Sequence, residues 1–117
     1  MSERGAQRFP KSARLLRSRE FRRTQRGRRA ACSMLVIHVR PNDEARPRLG
    51  LAVGRKVGPA VIRNRIKRKI REGFRLARWP EGADLLVVVR PGGRALADAH
   101  PLAIWDRVQT LIRRTSR

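Results

Sequence analysis

The segment VGPAVIRNRIKRKIREGFR, Val57 to Arg75, constrains this chain more than any other. At about 100° of helical rotation per residue, Ile62, Ile66, Ile70, Gly73, Phe74 and Ala77 fall within one arc that can bury against a sheet. Arg63 and Lys69 flank that arc. Arg65, Lys67, Arg68, Arg71, Arg75 and Arg78 fan over the remainder around Asn64, and only Glu72 interrupts their charge. Gly58 and Pro59 mark the helix start, because proline is pre-organised for a first helical position and loses no needed donor there. WPEG, from Trp79, ends the helix near Ala77. One face is thus committed to a core and the rest to cations.

A solvated helix face usually mixes signs, so that residues three or four apart attract. Here Arg63, Lys67 and Arg71 are like charges at a spacing that weakens a helix. Arginine predominates, and its planar guanidinium forks onto phosphate oxygens or stacks on an unpaired base. The whole chain shares the bias: 30 Lys and Arg against 9 Asp and Glu leave +21 on 117 residues. Self-repulsion on that scale favours a polyanionic partner, with nucleic acid foremost. RNA fits better than DNA, since no helix-turn-helix, zinc ligand set, zipper or minor-groove wedge is visible. RNA is read by shape, backbone and splayed bases, which a sheet beside an arginine helix can serve. No membrane partner is expected, as no stretch approaches the roughly 18 apolar residues of a spanning helix.

With 40% hydrophobic residues the chain can build a core, and its length suits one domain. Residues 1–11 lack an apolar period and are expected to form a flexible basic arm, leaving residues 12–117 as a single RNA-binding domain. The Arg- and Ser-rich start has the composition of a transit peptide, but Glu20 and Phe21 sit where a folded helix uses them. That first helix would have Ser18 as its cap, Glu20 in its first turn, Leu15, Leu16 and Phe21 as apolar contacts, and Gly27 as its stop.

Ala30 to Arg40 sets Met34, Val36 and His38 against Leu35, Ile37 and Val39, the pattern of a strand covered on both faces. The turn-forming RPNDEARPR predicts an antiparallel hairpin between it and Arg48 to Val53, with room for a third short strand near Gly54 to Val57. Asp84 to Arg90 has the continuous β-branched run of a central strand. Leu102, Trp105, Val108, Leu111 and Ile112 give a closing amphipathic helix.

Protein-borne catalysis is not expected. The adjacent acids Asp43 and Glu44 lie in a turn, His38 is mid-strand, and His100 before Pro101 suits a capping role. No serine has a visible activating partner, no Gly-rich phosphate loop is present, and no metal-ligand spacing occurs. The single cysteine, Cys32, permits no internal disulfide, reads as a packed residue and fits a reducing compartment such as the cytoplasm.

The stretch VGRKVGPAVIRNRIKRKIREGFR closely resembles the signature of the protein subunit of bacterial ribonuclease P: a basic connector, a Gly-x-Ala-Val turn and an Arg-Asn-Arg helix in succession. RLLRSREF, MLVIHV and DLLVVVRPGG extend the similarity over about Arg8 to Arg114. The resemblance implies an α+β fold, a two-layer α/β sandwich. Its four-stranded, mostly antiparallel sheet would follow the order α-β-β-β-α-β-α with a left-handed crossover. It also implies that the RNA subunit is the catalyst, using Mg2+ bound mainly by RNA to remove the 5′ leader of precursor tRNA. Ribonuclease P RNA and precursor tRNA are the implied partners, with no obligate protein partner. Arg63, Asn64, Arg65, Lys67, Arg68 and Arg71 match the motif set against the catalytic RNA, and Arg55 and Lys56 match its connector. A cleft between first helix and sheet would hold the leader, with Arg17, Phe21, Met34, Val36 and His38 as its candidate lining.

Two departures stand out. Gln25 occupies the place of a second helix aromatic common in relatives, which shifts leader binding from stacking toward backbone contact. Pro59 replaces the usual Asn before Ala-Val, keeping a helix start without a side-chain cap. A ribosomal protein would share the charge and size but would not need the cleft.

Overall fold

The computed structural model describes residue 14 and residues 18–42, 47–77 and 82–115. The basic arm, Arg17, Arg78 and the turn with Asp43 and Glu44 lie outside the described residues. Along the chain run α1 (Ser18–Gln25), β1 (Arg28–Ala31), β2 (Leu35–Pro41), β3 (Arg48–Val53), a 3-10 turn (Arg55–Val57) and α2 (Ala60–Leu76). β4 (Ala83–Val89), a 3-10 segment (Pro91–Asp98) and α3 (Pro101–Thr115) complete the expected α-β-β-β-α-β-α order.

The four strands form one sheet in the order β1-β2-β4-β3. β2 pairs antiparallel with β1 and β4, while β3 runs parallel to β4 and reaches it through α2. This corrects two readings of the sequence. First, β2 and β3 are not a hairpin; β4, whose Asp84 to Val87 are all buried, lies between them at the sheet centre, where packed helices cover both faces of its apolar run. Second, the extra short strand precedes β2 rather than following β3. The alternating run Ala30 to Arg40 is itself folded into a β1–β2 hairpin at Cys32 to Met34, where the Cys32 amide donates to the Leu35 carbonyl. Gly54 to Val57 forms the 3-10 turn instead.

The two faces of the sheet carry different layers. Leu35 and Ile37 of β2, Leu49 of β3 and Leu85, Val87 and Val89 of β4 pack with Ile66, Ile70 and Phe74 of α2 and with Ile104, Trp105, Val108 and Leu111 of α3. This is the main core. Val36 and Leu86, also buried, point to the opposite face, where α1 packs over β2 and β4. The isoleucine ladder of α2 is therefore buried as its spacing requires, with Ile62 and Ala77 half-buried at its ends.

Trp105 anchors α3 against α2. It is buried, its ring centroid lies 5.4 Å from that of Phe74, and its indole N–H donates to the Ile70 carbonyl at 3.1 Å. Gly73 makes this approach possible, because a Cβ there would lie 1.6 Å from Trp105 Cδ1 and 2.7 Å from the Pro101 carbonyl oxygen. Gly73→Ala is expected to destabilise the fold by about 1–3 kcal/mol, overpacking outweighing alanine's helix advantage of about 1 kcal/mol. A stability in chemical denaturation equal to or above that of the parent would contradict this packing. At the start of α3, His100 Nδ1 accepts a hydrogen bond from the Leu102 amide at 3.1 Å, the capping role its position suggested.

Candidate nucleic-acid interface

α2 begins where Pro59, in extended conformation, offers its carbonyl to the Ile62 and Arg63 amides at 3.0 Å. Arg63 bends back, its Nε donating to the Gly58 carbonyl at 3.1 Å, and Lys69 Nζ donates to the Ala99 carbonyl at 2.7 Å. These two flanking cations thus brace the helix against its surroundings. Asn64, Arg65 and Arg68 are exposed, and Lys67 and Arg71 are half-buried on the same outward side. Arg55 and Lys56 are exposed in the 3-10 turn that leads into the helix.

Among the described residues the carboxylates do little to neutralise this surface. Glu72 is engaged by Arg75 at 2.5 Å, and Glu20 and Asp84 are held by Arg48. Asp98 approaches Arg65 only at 3.8 Å, with both side chains well exposed, a geometry that contributes little in water. Arg55, Lys56, Arg63, Lys67, Arg68 and Arg71 have no carboxylate partner among the described residues. Burial, and after it the positive charge of Arg14, disfavours the charged form of Arg71. A phosphate placed there would relieve that tension. Beside the helix, Arg65, Arg68, Lys69, Glu72, Ala97, Asp98 and Pro101 line a depression of about 560 Å³.

The second candidate surface lies on the other face of the sheet. Register puts Val36 beside Val88, His38 beside Leu86 and Arg40 beside Asp84, on the α1 side. Phe21 is half-buried on α1. Met34 differs from the expectation: it lies in the turn ahead of β2, half-buried and packed against the main core, because its carbonyl is held by the Arg90 amide at 2.8 Å. Val36 and His38 therefore share the α1 face without it.

The sequence did not reveal what ties α1 to this face. Arg48 forks onto buried Asp84, with Nε–Oδ1 and Nη2–Oδ2 both 2.9 Å, and its Nη1 meets Glu20 of α1 at 2.5 Å. Asn42 Nδ2 adds a hydrogen bond to Asp84 at 2.6 Å. These contacts raise the Arg48 pKa above its ordinary value, the Asp84 hydrogen bond being the largest cause. The available hints were an acid opening an otherwise apolar strand and an arginine opening its parallel neighbour.

His38 sits between Arg29 and Leu86 in register, and its Nδ1 is buried without a hydrogen-bond partner. Burial first, and Arg29 second, lower its pKa against a smaller opposing effect of the Gln25 backbone. With the folded pKa below the unfolded one, the unfolded chain binds the proton more readily. This contribution to stability is full above about 6.5 and is lost as pH falls from there through the folded pKa. His38→Leu should flatten the acid-side decline in stability below about pH 6.5. Identical pH profiles for the two proteins would contradict it.

The family model described as Ribonuclease P matches residues 9–116. The chain belongs to the ribonuclease P protein family. A ribonuclease P protein component from Dictyoglomus thermophilum is 45% identical, the match covering 88% of this chain and 93% of the relative. One from Methylococcus capsulatus is 47% identical over 85% and 80%. Among solved structures, the RNase P protein of Staphylococcus aureus superposes with a TM-score of 0.74 at 29% identity, covering 88% of this chain and 94% of that one. The Thermotoga maritima protein gives 0.73 at 30% identity, over 86% and 96%. As a ribonuclease P protein component, the chain has its role in the ribonuclease P holoenzyme and in tRNA 5′ processing, in association with ribonuclease P RNA. No helix among the described residues is long and apolar enough to cross a membrane.

Proposed function

We propose that this chain docks on the catalytic RNA through the outward side of α2 and the Arg55–Lys56 connector, and holds the precursor tRNA leader between α1 and the sheet. The observation that carries the reading is the set of α2 cations left without carboxylate partners among the described residues. Carried on a helix packed into the core, they present donors to phosphate oxygens from a fixed backbone. Leader binding draws support from Phe21 lying half-buried on α1, which packs over β2, and from Val36 and His38 sharing one face of that strand.

Catalysis in this reading belongs to the RNA, with Mg2+ held mainly by RNA, in the cytoplasm. The described residues do not fit a resident metal ion: they contain no group of three or more His, Cys, Asp or Glu side chains placed to hold one. Glu20, Asp84 and Glu72 are already committed to arginines.

Binding to precursor and mature tRNA, measured on the reconstituted holoenzyme, tests the assignment. Phe21→Ala should weaken precursor binding by about 1–3 kcal/mol if one base stacks there, and leave mature tRNA binding unchanged. Equal losses for both ligands would remove the leader from the α1 face.

A further inference from the structure

The outward side of α1 carries a feature that neither α2 nor the sheet explains. At about 100° per residue, Arg19, Arg22, Arg23 and Arg26 fall in one arc opposite Thr24, which is buried against the sheet with its hydroxyl bonded to the Glu20 carbonyl. All four arginines are exposed, and none has a carboxylate partner among the described residues. The acid of this helix, Glu20, faces Arg48 instead. Spacings of three and four residues make these charges mutually repulsive, so the comb works against the helix that carries it.

The surface between these side chains is concave. Arg19, Arg22, Arg23 and Arg26 line a depression of about 350 Å³, and Arg23, Arg26, Gly27 and Arg40 line another of about 330 Å³. The two share Arg23 and Arg26. The second touches the sheet at Arg40, two residues beyond His38 on the same face of β2. Gly27 permits this junction: a Cβ there would lie 2.2 Å from the Val39 carbonyl oxygen. The basic path thus runs without interruption from the α1 side of the sheet, around the C-terminal end of α1, onto its outer surface.

We propose that this path grips the sugar-phosphate backbone of the leader strand where it emerges from the space between α1 and the sheet. The inference rests on the leader reading above and extends the leader's footprint upstream. Guanidiniums on successive helical turns recur about every 5–6 Å, which suits a row of backbone phosphates and no particular base. Affinity contributed here grows with leader length and is independent of leader sequence. The absence of a second aromatic at Gln25 is consistent with a grip that relies on charge.

The test compares the parent and an Arg22→Gln, Arg26→Gln double variant in reconstituted holoenzyme. It uses one precursor whose leader ends within the α1–sheet space and one extended by a uridine run. Glutamine keeps helix propensity and relieves repulsion, so the thermal midpoint should not fall. The variant is expected to bind the long-leader precursor about tenfold more weakly, to bind the short-leader precursor as the parent does, and to lower the log–log salt slope for the long leader by about 1.4. Equal losses on both precursors, no loss on either, or a loss confined to binding of the catalytic RNA would each overturn the inference. Failure of the parent itself to improve precursor binding over the RNA alone would mark the underlying leader reading as wrong.

Discussion

Asp84→Ala is expected to lower folding stability by about 3–5 kcal/mol, the usual result of removing one partner of a buried ion pair. Asp84 is buried and accepts three hydrogen bonds, two from Arg48 and one from Asn42. Its loss leaves the Arg48 guanidinium largely out of water, with Glu20 as its one carboxylate partner among the described residues. The damage is structural as well as electrostatic, because Arg48 links β3 and β4 to α1 and so sets how α1 lies on the sheet. Arg48→Met combined with Asp84→Leu removes both charges and should recover much of the lost stability. Urea unfolding of the three proteins tests this. A single-variant loss under about 1 kcal/mol, or a double variant worse than Asp84→Ala, would show that the network does not hold α1.

Arg65→Ala with Arg68→Ala is the second large effect, on binding rather than folding. Both side chains are exposed, and the weak Arg65–Asp98 contact is the only ion pair disturbed among the described residues. Stability should stay within about 0.5 kcal/mol of the parent. Affinity for the catalytic RNA should fall roughly ten- to hundredfold, since charge-assisted contacts to phosphate are lost. The log–log salt slope should shrink by about 1.4–1.8 for two phosphates. An unchanged slope would mean these guanidiniums do not touch RNA phosphate.

What the sequence discloses depends on how local the determining physics is. α2 was legible because burial every three or four residues at Ile66, Ile70 and Phe74 is written within one element. Trp105 and Phe74 were readable as core for the same reason. Strand pairing was not. The β1–β2 turn at Cys32 to Met34 contains no Gly, Pro or Asn to punctuate the alternation, and RPNDEARPR imitates a hairpin loop while linking strands that β4 separates. Which arginine an acid selects is a tertiary outcome, so Arg48 gave no sign of spanning Asp84 and Glu20. At the site, the cations of α2 and its connector could be chosen from helical geometry and family resemblance. Met34 could not be separated from Val36 and His38 until the turn was known.

Leader cleavage at low magnesium, with a catalytic RNA in the presence and absence of this chain, tests the central claim most directly. Where magnesium alone no longer screens the RNA phosphates, the α2 cations should restore cleavage at the mature tRNA 5′ end, and Arg65→Ala with Arg68→Ala should abolish most of that stimulation. Cleavage unaffected by the chain, or stimulated equally by parent and variant, would contradict the docking of α2 on the catalytic RNA.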